Sequence, residues 1–350
     1  MRIGFDATSL REDGKGLARF QLEFLRAADV DDMVVFVPEG VDESLCPAHD
    51  GWRYVRVRTR PMVLWEQLGR PRAARREGVD VVLHLSERAA LWGRPQVVYV
   101  YEHPKYRLRR NREVGAPLRQ RVVDRLTLLL FQSGMRRARV VLAASESTAR
   151  DLAGIARAEV VHPGVSDVFS PGDVEPSYFL HLASSDPRDN SEVVLEAHAR
   201  LDEPRPPLVI GGTAPESLRR RANDLGLDVD WRGFLVEHAL ADLYRGAIAY
   251  VDPSLYEGFG LQAAEALACG TPVICSNVTS LPEVVGDAGI LLDPMDVTGF
   301  TNAMSQMRDR ETREGLARAA LEQAARFDWS QTAARTVEAA RRAATTPSSP

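Results

Sequence analysis

Short runs of β-branched and other apolar residues recur along the whole chain, and a longer segment with helical spacing follows most of them. In the first half the runs are residues 2–6, 33–37, 53–57, 80–84, 96–101 and 139–143. Most are apolar at nearly every position, as strands buried on both faces of a parallel sheet must be. Helical spacing occupies the gaps, for example 17–28 and 117–137. This alternation predicts an α/β fold built on a doubly wound sheet.

The pattern breaks once, at PGVSDVFSPGDVEP (residues 163–176), where prolines and glycines cluster and no helical period survives. It then restarts. Strands are expected at 177–183, 207–211, 228–232, 248–252 and 272–276, and helices at 191–201, 215–225, 239–246 and 261–268. At 350 residues and 45% hydrophobic, the chain has material for two cores. The expected organisation is a Rossmann-like domain over 1–165, a second over 177–328, and an amphipathic helix over 329–345 that precedes a polar ATTPSSP tail. Two such domains are expected to face a central cleft, because strand carboxyl ends and helix N-termini converge on one crevice. That geometry does not choose a reaction.

Charge narrows the classes. With 49 acidic and 44 basic residues the net charge is −5, which is no footprint for nucleic-acid binding. Only Lys15 and Lys105 of the basic residues are lysine, a bias that runs with the abundance of alanine and arginine. Three cysteines, Cys46, Cys269 and Cys275, form no C-x-x-C pair, and no metal site is expected. No apolar run approaches the ~18 residues of a membrane span. The first ten residues lack a signal peptide's apolar stretch, so a cytoplasmic location is expected.

The chemistry concentrates in PSLYEGFGLQAAEALACGTPVICSNVTSLPEVVGDAGILLDP, residues 253–294. A strand, a loop and a helix follow one another here. Gly258 and Gly260 allow close backbone approach to a ligand. With Phe259 and Leu261 they sit at a helix N-terminus, where unpaired amides and the macrodipole favour an anion. Glu257 stands just before that anion site and is expected to face neutral hydroxyls beside it. Glu265, about a turn and a half into the helix, is expected to accept from another hydroxyl. A phosphate cradle with two hydroxyl-reading carboxylates suits a sugar nucleotide.

This stretch resembles the donor site of the retaining family 4 glycosyltransferases, which have the GT-B fold. Their E-x7-E motif is matched by Glu257 through Glu265, and their downstream pattern by Gly270-Thr271-Pro272-Val273 and Leu281-Pro282-Glu283-Val284. Further likenesses are the glycine-rich first loop at Gly16-Leu17-Ala18-Arg19-Phe20, where Ala18 replaces a usual glycine, and the segment from Ser145 to Leu152. Asp230-Trp231-Arg232-Gly233-Phe234 and Phe327-Asp328-Trp329-Ser330 also match. The resemblance implies transfer of a sugar from a nucleotide-diphosphate donor to an acceptor hydroxyl with retained configuration. It implies no metal and no cofactor beyond the donor substrate. It implies that Glu257 holds donor sugar hydroxyls, Glu265 the ribose, and Gly258 to Leu261 the diphosphate. It also places Gly233 and Phe234 at the base, Gly16 over the donor, and the final helix back on the first domain.

Two departures touch catalysis. Family members carry an Arg and a Lys in a G-R-x-x-x-P-R-K-N-like motif, which neutralise the diphosphate. Here Ser184 or Ser185 stands at the Arg position and Asp189 at the Lys position. Three explanations compete: Arg188 supplies the cation, the donor or its stabilisation is unusual, or transfer has been lost in a non-catalytic relative. Arginine bias would turn that lysine into arginine, not into Asp189. The second departure is at the end of the 96–101 strand, where a His-Asp pair is usual. An ungapped match gives Tyr101 and Glu102, with His103 two residues late. Either His103 takes the catalytic position or it is an ordinary loop histidine, with Tyr101 the fallback.

Weaker signals remain. Asp228-Val229-Asp230 has D-x-D form but reads as two solvent-facing strand residues. The basic run from Lys105 to Arg112 is a solvated loop, or a contact for an anionic acceptor or acidic membrane. Glu66 and residues 70–76 read as exposed helix. A sugar-nucleotide epimerase is disfavoured by the transferase-type motif.

Overall fold

The computed structural model describes residues 1–10, 16–42, 45–86, 89–106 and 117–345. The chain forms two compact units, one of residues 1–164 with 329–350, the other of residues 165–328.

The first unit is a seven-stranded parallel sheet in the order β3-β2-β1-β4-β5-β6-β7. Its strands are β1 Ile3–Asp6, β2 Met33–Pro38, β3 Trp52–Val57, β4 Val81–His84, β5 Gln96–Val100, β6 Val140–Ala143 and β7 Ala158–Val160. The crossovers carry α1 Leu17–Ala27, α2 Met62–Leu64 running through a π-turn at Trp65–Gly69 into α3 Arg70–Arg76, α4 Leu118–Arg137, and α5 Glu146–Leu152. Central strands β1, β4 and β5 are buried at every position, which explains why they read as continuous apolar runs. The C-terminal helix, Trp329–Thr345, also belongs to this unit. Trp329 packs edge-on against Phe20 of α1 at 4.9 Å, and Thr332 Oγ1 donates to His162 O at 2.7 Å.

One sequence expectation is overturned here. Glu66 and Arg70 are buried, not on an exposed helix face; only Arg72, Arg75 and Arg76 of the run are exposed. Arg70 is 1% exposed and pairs with the buried carboxylate of Asp6 at the end of β1. A buried guanidinium persists only with such a partner. Thr8 Oγ1 also donates to Asp6, at 2.6 Å, and His84 Nδ1 lies 3.5 Å from it. His84 Nε2 is 3.1 Å from Gln96 Oε1. Helical spacing assigns residues to a face but carries no sign of a long-range ion pair.

The second unit is a six-stranded parallel sheet in the order β10-β9-β8-β11-β12-β13. Its strands are β8 Tyr178–Ala183, β9 Leu208–Gly212, β10 Val229–Gly233, β11 Ala247–Asp252, β12 Val273–Ser276 and β13 Gly289–Leu292. Between and after them run α6 Ser191–Ala199, α7 Glu216–Asp224, α8 Glu237–Arg245, α9 Leu261–Ala268, α10 Leu281–Val285, α11 Val297–Gln306 and α12 Arg310–Ala324. Its core gathers Phe179, Ile210, Val251, Ile274, Phe300 and Met304. Edge strands β7 and β13 were not anticipated: each is three or four residues long, with no fully buried position to mark it. The segment 165–176 belongs to the second unit, where Phe169 meets Tyr244 edge-on at 6.0 Å and Arg245 Nε donates to Ser170 O at 2.8 Å.

Candidate active site

Strand order in the second sheet reverses between β8 and β11, so the loops leaving these two neighbours diverge and open a crevice at their carboxyl ends. Those loops are 184–190 and 253–260, and with 277–280 after β12 they carry the residues singled out by sequence. They are knitted together. Leu255 N donates to Arg188 O at 2.8 Å. Asn190, in the left-handed region at φ 53°, donates its Nδ2 to Pro253 O at 3.0 Å and to Pro294 O at 2.7 Å. His181 is buried beneath. Its Nδ1 donates to Val251 O and its Nε2 accepts from Ser191 Oγ, both at 2.8 Å. Burial lowers its pKa and so favours the neutral ring this tautomer requires.

Glu257 is half-buried, and its backbone is clamped on both sides. Its N–H donates to Thr279 Oγ1 at 3.0 Å, and its carbonyl accepts from Ser280 Oγ at 2.9 Å. Thr279 holds φ 54°, a costly conformation for a β-branched residue, which the surrounding loop sustains. The next turn opens α9. Gly260 has φ 98°, which favours glycine, and a Cβ there would meet Leu281 Cδ2 at 2.9 Å, so that side chain would have to shift. No side chain caps this helix end. Phe259 is fully buried and packs edge-on against Phe327 at 5.2 Å, which fixes the loop from below. The result is a helix N-terminus able to accept an anion beside a carboxylate on a braced loop.

The charge problem raised by Asp189 has a local resolution. The 310 turn Pro187–Asp189 folds the Asp189 carboxylate back onto its own strand end, where Oδ2 accepts from Ser184 N at 2.5 Å. Burial raises its pKa, against the lowering pull of that hydrogen bond. Arg188 lies over the ring of Tyr256 at 5.8 Å, within the Glu257 loop. Its Nε and Nη2 reach Asp186 Oδ2 at 3.1 and 3.0 Å. The cation therefore lies over the loop that precedes α9, while the neighbouring acid serves the turn.

Other candidates are placed as follows. Glu265 is buried within α9 and accepts from the Tyr244 hydroxyl at 3.4 Å. Gly233 ends β10 at φ 62° with open space where a Cβ would stand, and Phe234 beside it is exposed. Asp228 and Asp230 are exposed, and Asp230 pairs with Arg232 at 2.6 Å. In the first unit, Gly16 opens α1 at φ 53°. His103 is buried there. Its Nδ1 accepts from Lys105 N at 2.9 Å, its ring meets Phe131 edge-on at 4.9 Å, and burial, then Lys105, lower its pKa. Tyr101 packs near Phe20 at 5.9 Å. Lys105 pairs with Asp151, and Arg107 to Arg112 lie outside the described residues.

Sequence reasoning did not single out Asp186, Asn190, Tyr256, Thr279 or Ser280 as site residues. Asn190 carried two signals, its match to the final N of the G-R-x-x-x-P-R-K-N-like motif and its place immediately before a helix, since asparagine tolerates the left-handed region.

Comparison with known proteins follows the two units. A family model described as Glycosyltransferase Family 4 matches residues 16–168, and one described as Glycosyl transferases group 1 matches residues 168–326. An O-antigen chain mannosyltransferase B of Escherichia coli is 37% identical over 46% of this chain and 45% of its own. A D-inositol 3-phosphate glycosyltransferase of Mycolicibacterium smegmatis is 36% identical over 50% of this chain and 45% of its own. The matches thus span about half the length of these relatives. The structure of HepE from Anabaena, in complex with UDP and glucose, superposes with a TM-score of 0.73 at 17% identity, covering 97% of this chain and 98% of that one. Two parallel doubly wound units with such neighbours define the GT-B class. The chain belongs to glycosyltransferase family 4, in group 1 of the glycosyl transferases.

Proposed function

We propose that this protein is a retaining glycosyltransferase that moves a sugar from a nucleotide-diphosphate donor to an acceptor hydroxyl. The observation that carries this reading is the start of α9, which no side chain caps, following directly on the Tyr256–Glu257 loop over which Arg188 lies. The amides of Gly258 to Leu261 receive the diphosphate, and Arg188 leaves Asp186 to neutralise it. Glu257 accepts from donor sugar hydroxyls, Glu265 from the ribose, and Gly233 with Phe234 borders the base. In the first unit, His103 contacts the donor sugar and Gly16 covers it.

In the reaction the bond from the anomeric carbon to the diphosphate oxygen breaks, and a bond to the acceptor oxygen forms on the same face. The acceptor proton passes to the departing phosphate oxygen, so no protein base is required and no metal is assigned. Electrostatic stabilisation of the leaving group is then the main protein contribution. An O-antigen mannosyltransferase and an inositol phosphate glycosyltransferase among the relatives support both polysaccharide and small-molecule acceptors.

Thermal shift with UDP, GDP, ADP and TDP, followed by a donor panel read by mass spectrometry and NMR of the product anomer, tests the reading. Stabilisation by one nucleotide and a retained anomer, undiminished by EDTA, are expected. An inverted product would overturn the retaining assignment. A second reading, a non-catalytic relative, is favoured by the Arg188–Asp186 pair, which already neutralises the cation. It predicts nucleotide binding without turnover with any donor.

A further inference from the structure

Exposed arginine and exposed aliphatic side chains coincide on two helical segments of the first unit that touch each other. Helix α4 is apolar on two sides. Phe131 and Met135 pack into the core against Val98, Val100 and Val141. On the opposite side Leu118, Val122, Leu126 and Leu129 form a stripe at i, i+4, i+8 and i+11, and they are 73%, 51%, 54% and 53% exposed. The stripe runs about 16 Å along the helix. Exposed arginines flank it, Arg119, Arg121 and Arg125 among them, and the helix's only acid, Asp124, is buried.

The segment 58–76 repeats the pattern. Val63 and Leu64 are more than half exposed, Arg58, Arg60 and Arg72 are exposed, and its single acid, Glu66, is buried. The two segments meet at Ala89. Gln67 Nε2 donates to Ala89 O at 3.1 Å, and a Cβ on Gly134 of α4 would lie 2.9 Å from Ala89 Cβ. Both α2 and α4 follow parallel strands, so both begin at the carboxyl edge of the first sheet. A chain of net charge −5 thus collects arginine around bare aliphatic surface, and within these two segments both acids are buried.

We propose that this face docks on an anionic lipid surface. Aliphatic side chains enter the acyl boundary while arginine stems lie along it and their guanidinium groups meet lipid phosphate. Charge selects this occupant. A second copy seated on the same face would set arginine against arginine, and a soluble polyanion would have no use for the leucines. Among the described residues no helix is long and apolar enough to cross a membrane, so this contact lies on a bilayer and does not span it.

Co-sedimentation of the full chain with phosphatidylcholine vesicles, with and without phosphatidylglycerol, at low and high sodium chloride, tests the proposal. Binding is expected only with phosphatidylglycerol and is expected to weaken with salt. The Arg121→Glu/Arg125→Glu variant should bind at least about twentyfold more weakly, since each arginine near such a surface is worth roughly fivefold. Val122→Ser/Leu126→Ser should bind roughly tenfold more weakly. An unchanged melting temperature identifies folded variants. Equal binding to both vesicle types, no binding to either, or binding that both variants leave intact would overturn the proposal. So would a dimer in sedimentation velocity that Leu126→Ser dissolves. None of these outcomes depends on the transfer reaction.

Discussion

At the residue scale, the site turns on where three charges of one loop point. If Arg188 is the diphosphate cation, Arg188→Ala should weaken nucleoside-diphosphate binding by roughly ten- to a hundredfold, the range for a lost charge-assisted contact. Asp186→Asn should tighten it, because the arginine's competing partner loses its charge while its oxygen can still accept from Arg188 N. Isothermal titration of both variants checks the pair, and unchanged affinity in both would remove Arg188 from the diphosphate. Asp189→Asn keeps the acceptor for Ser184 N and should leave donor binding near wild type, whereas Asp189→Ala should cost about 1 kcal/mol of stability. Glu257→Gln keeps an acceptor but loses the charge, and its kcat/KM should fall by roughly ten- to a hundredfold.

The buried Asp6–Arg70–His84 group makes a pH prediction. Burial, then Arg70, lower the His84 pKa to about 4, against the raising pull of Asp6 and Gln96. Burial would raise Asp6, but Arg70, His84 and Thr8 together hold it well below the usual carboxylate range. As pH falls from about 6.5, the unfolded chain takes up the His84 proton before the folded one does, so stability is lost towards pH 4. Asp6 adds a further loss below its unfolded value near 4. The buried histidines His181 and His198 are lowered too and act with the same sign. The melting temperature should be highest near about pH 7–8, fall below that range, and fall again above about pH 8.5, where burial keeps the Cys269 and Cys275 thiols protonated in the fold; His84→Gln should flatten part of the acid slope.

At the scale of elements, the site depends on turns that tolerate few substitutions. Gly260→Ala asks a Cβ to share space with Leu281 at φ 98°. It should lower stability by about 1–3 kcal/mol and weaken diphosphate binding at the start of α9, measured by denaturant unfolding and titration. Asn190→Gly keeps the backbone conformation but removes both hydrogen bonds to Pro253 and Pro294, so donor KM should rise more than the melting temperature falls. The Glu257–Glu265 segment was legible as an element because strand, glycine turn and helix follow one another within 20 or so residues, a local signal. The partners of that segment were not. Asn190, Thr279 and Ser280 lie tens of residues away in sequence, and no periodicity records a hydrogen bond between loops. Helix exposure was misread at Arg70 for the same reason: its counter-charge, Asp6, sits on a strand 64 residues earlier.

For the whole molecule, each unit has its own sheet and core, yet the first is completed from the far end of the chain. Trp329, Ala333, Val337 and Ala340 of the C-terminal helix are buried in it. Trp329→Ala should therefore destabilise the first unit by about 3–5 kcal/mol and leave the second unit's transition in place. Calorimetry should show two transitions separating. A single shifted transition would mean that the units unfold together.

The alternation of buried strands with helices, the restart near residue 177 and the E-x7-E segment are set by sequence alone, because burial on both faces and a glycine turn before a helix impose composition on adjacent residues. Tertiary structure alone decided where charge goes. Asp189 stands where a cation was expected, but its turn takes the carboxylate and Arg188 reaches Tyr256. The scarcity of lysine is a matter of composition; the gathering of arginine around bare leucine on α4 and α2 is visible only once the helices are packed. Neighbours in sequence share a backbone, whereas charges meet through space, and the sheet decides which ones do.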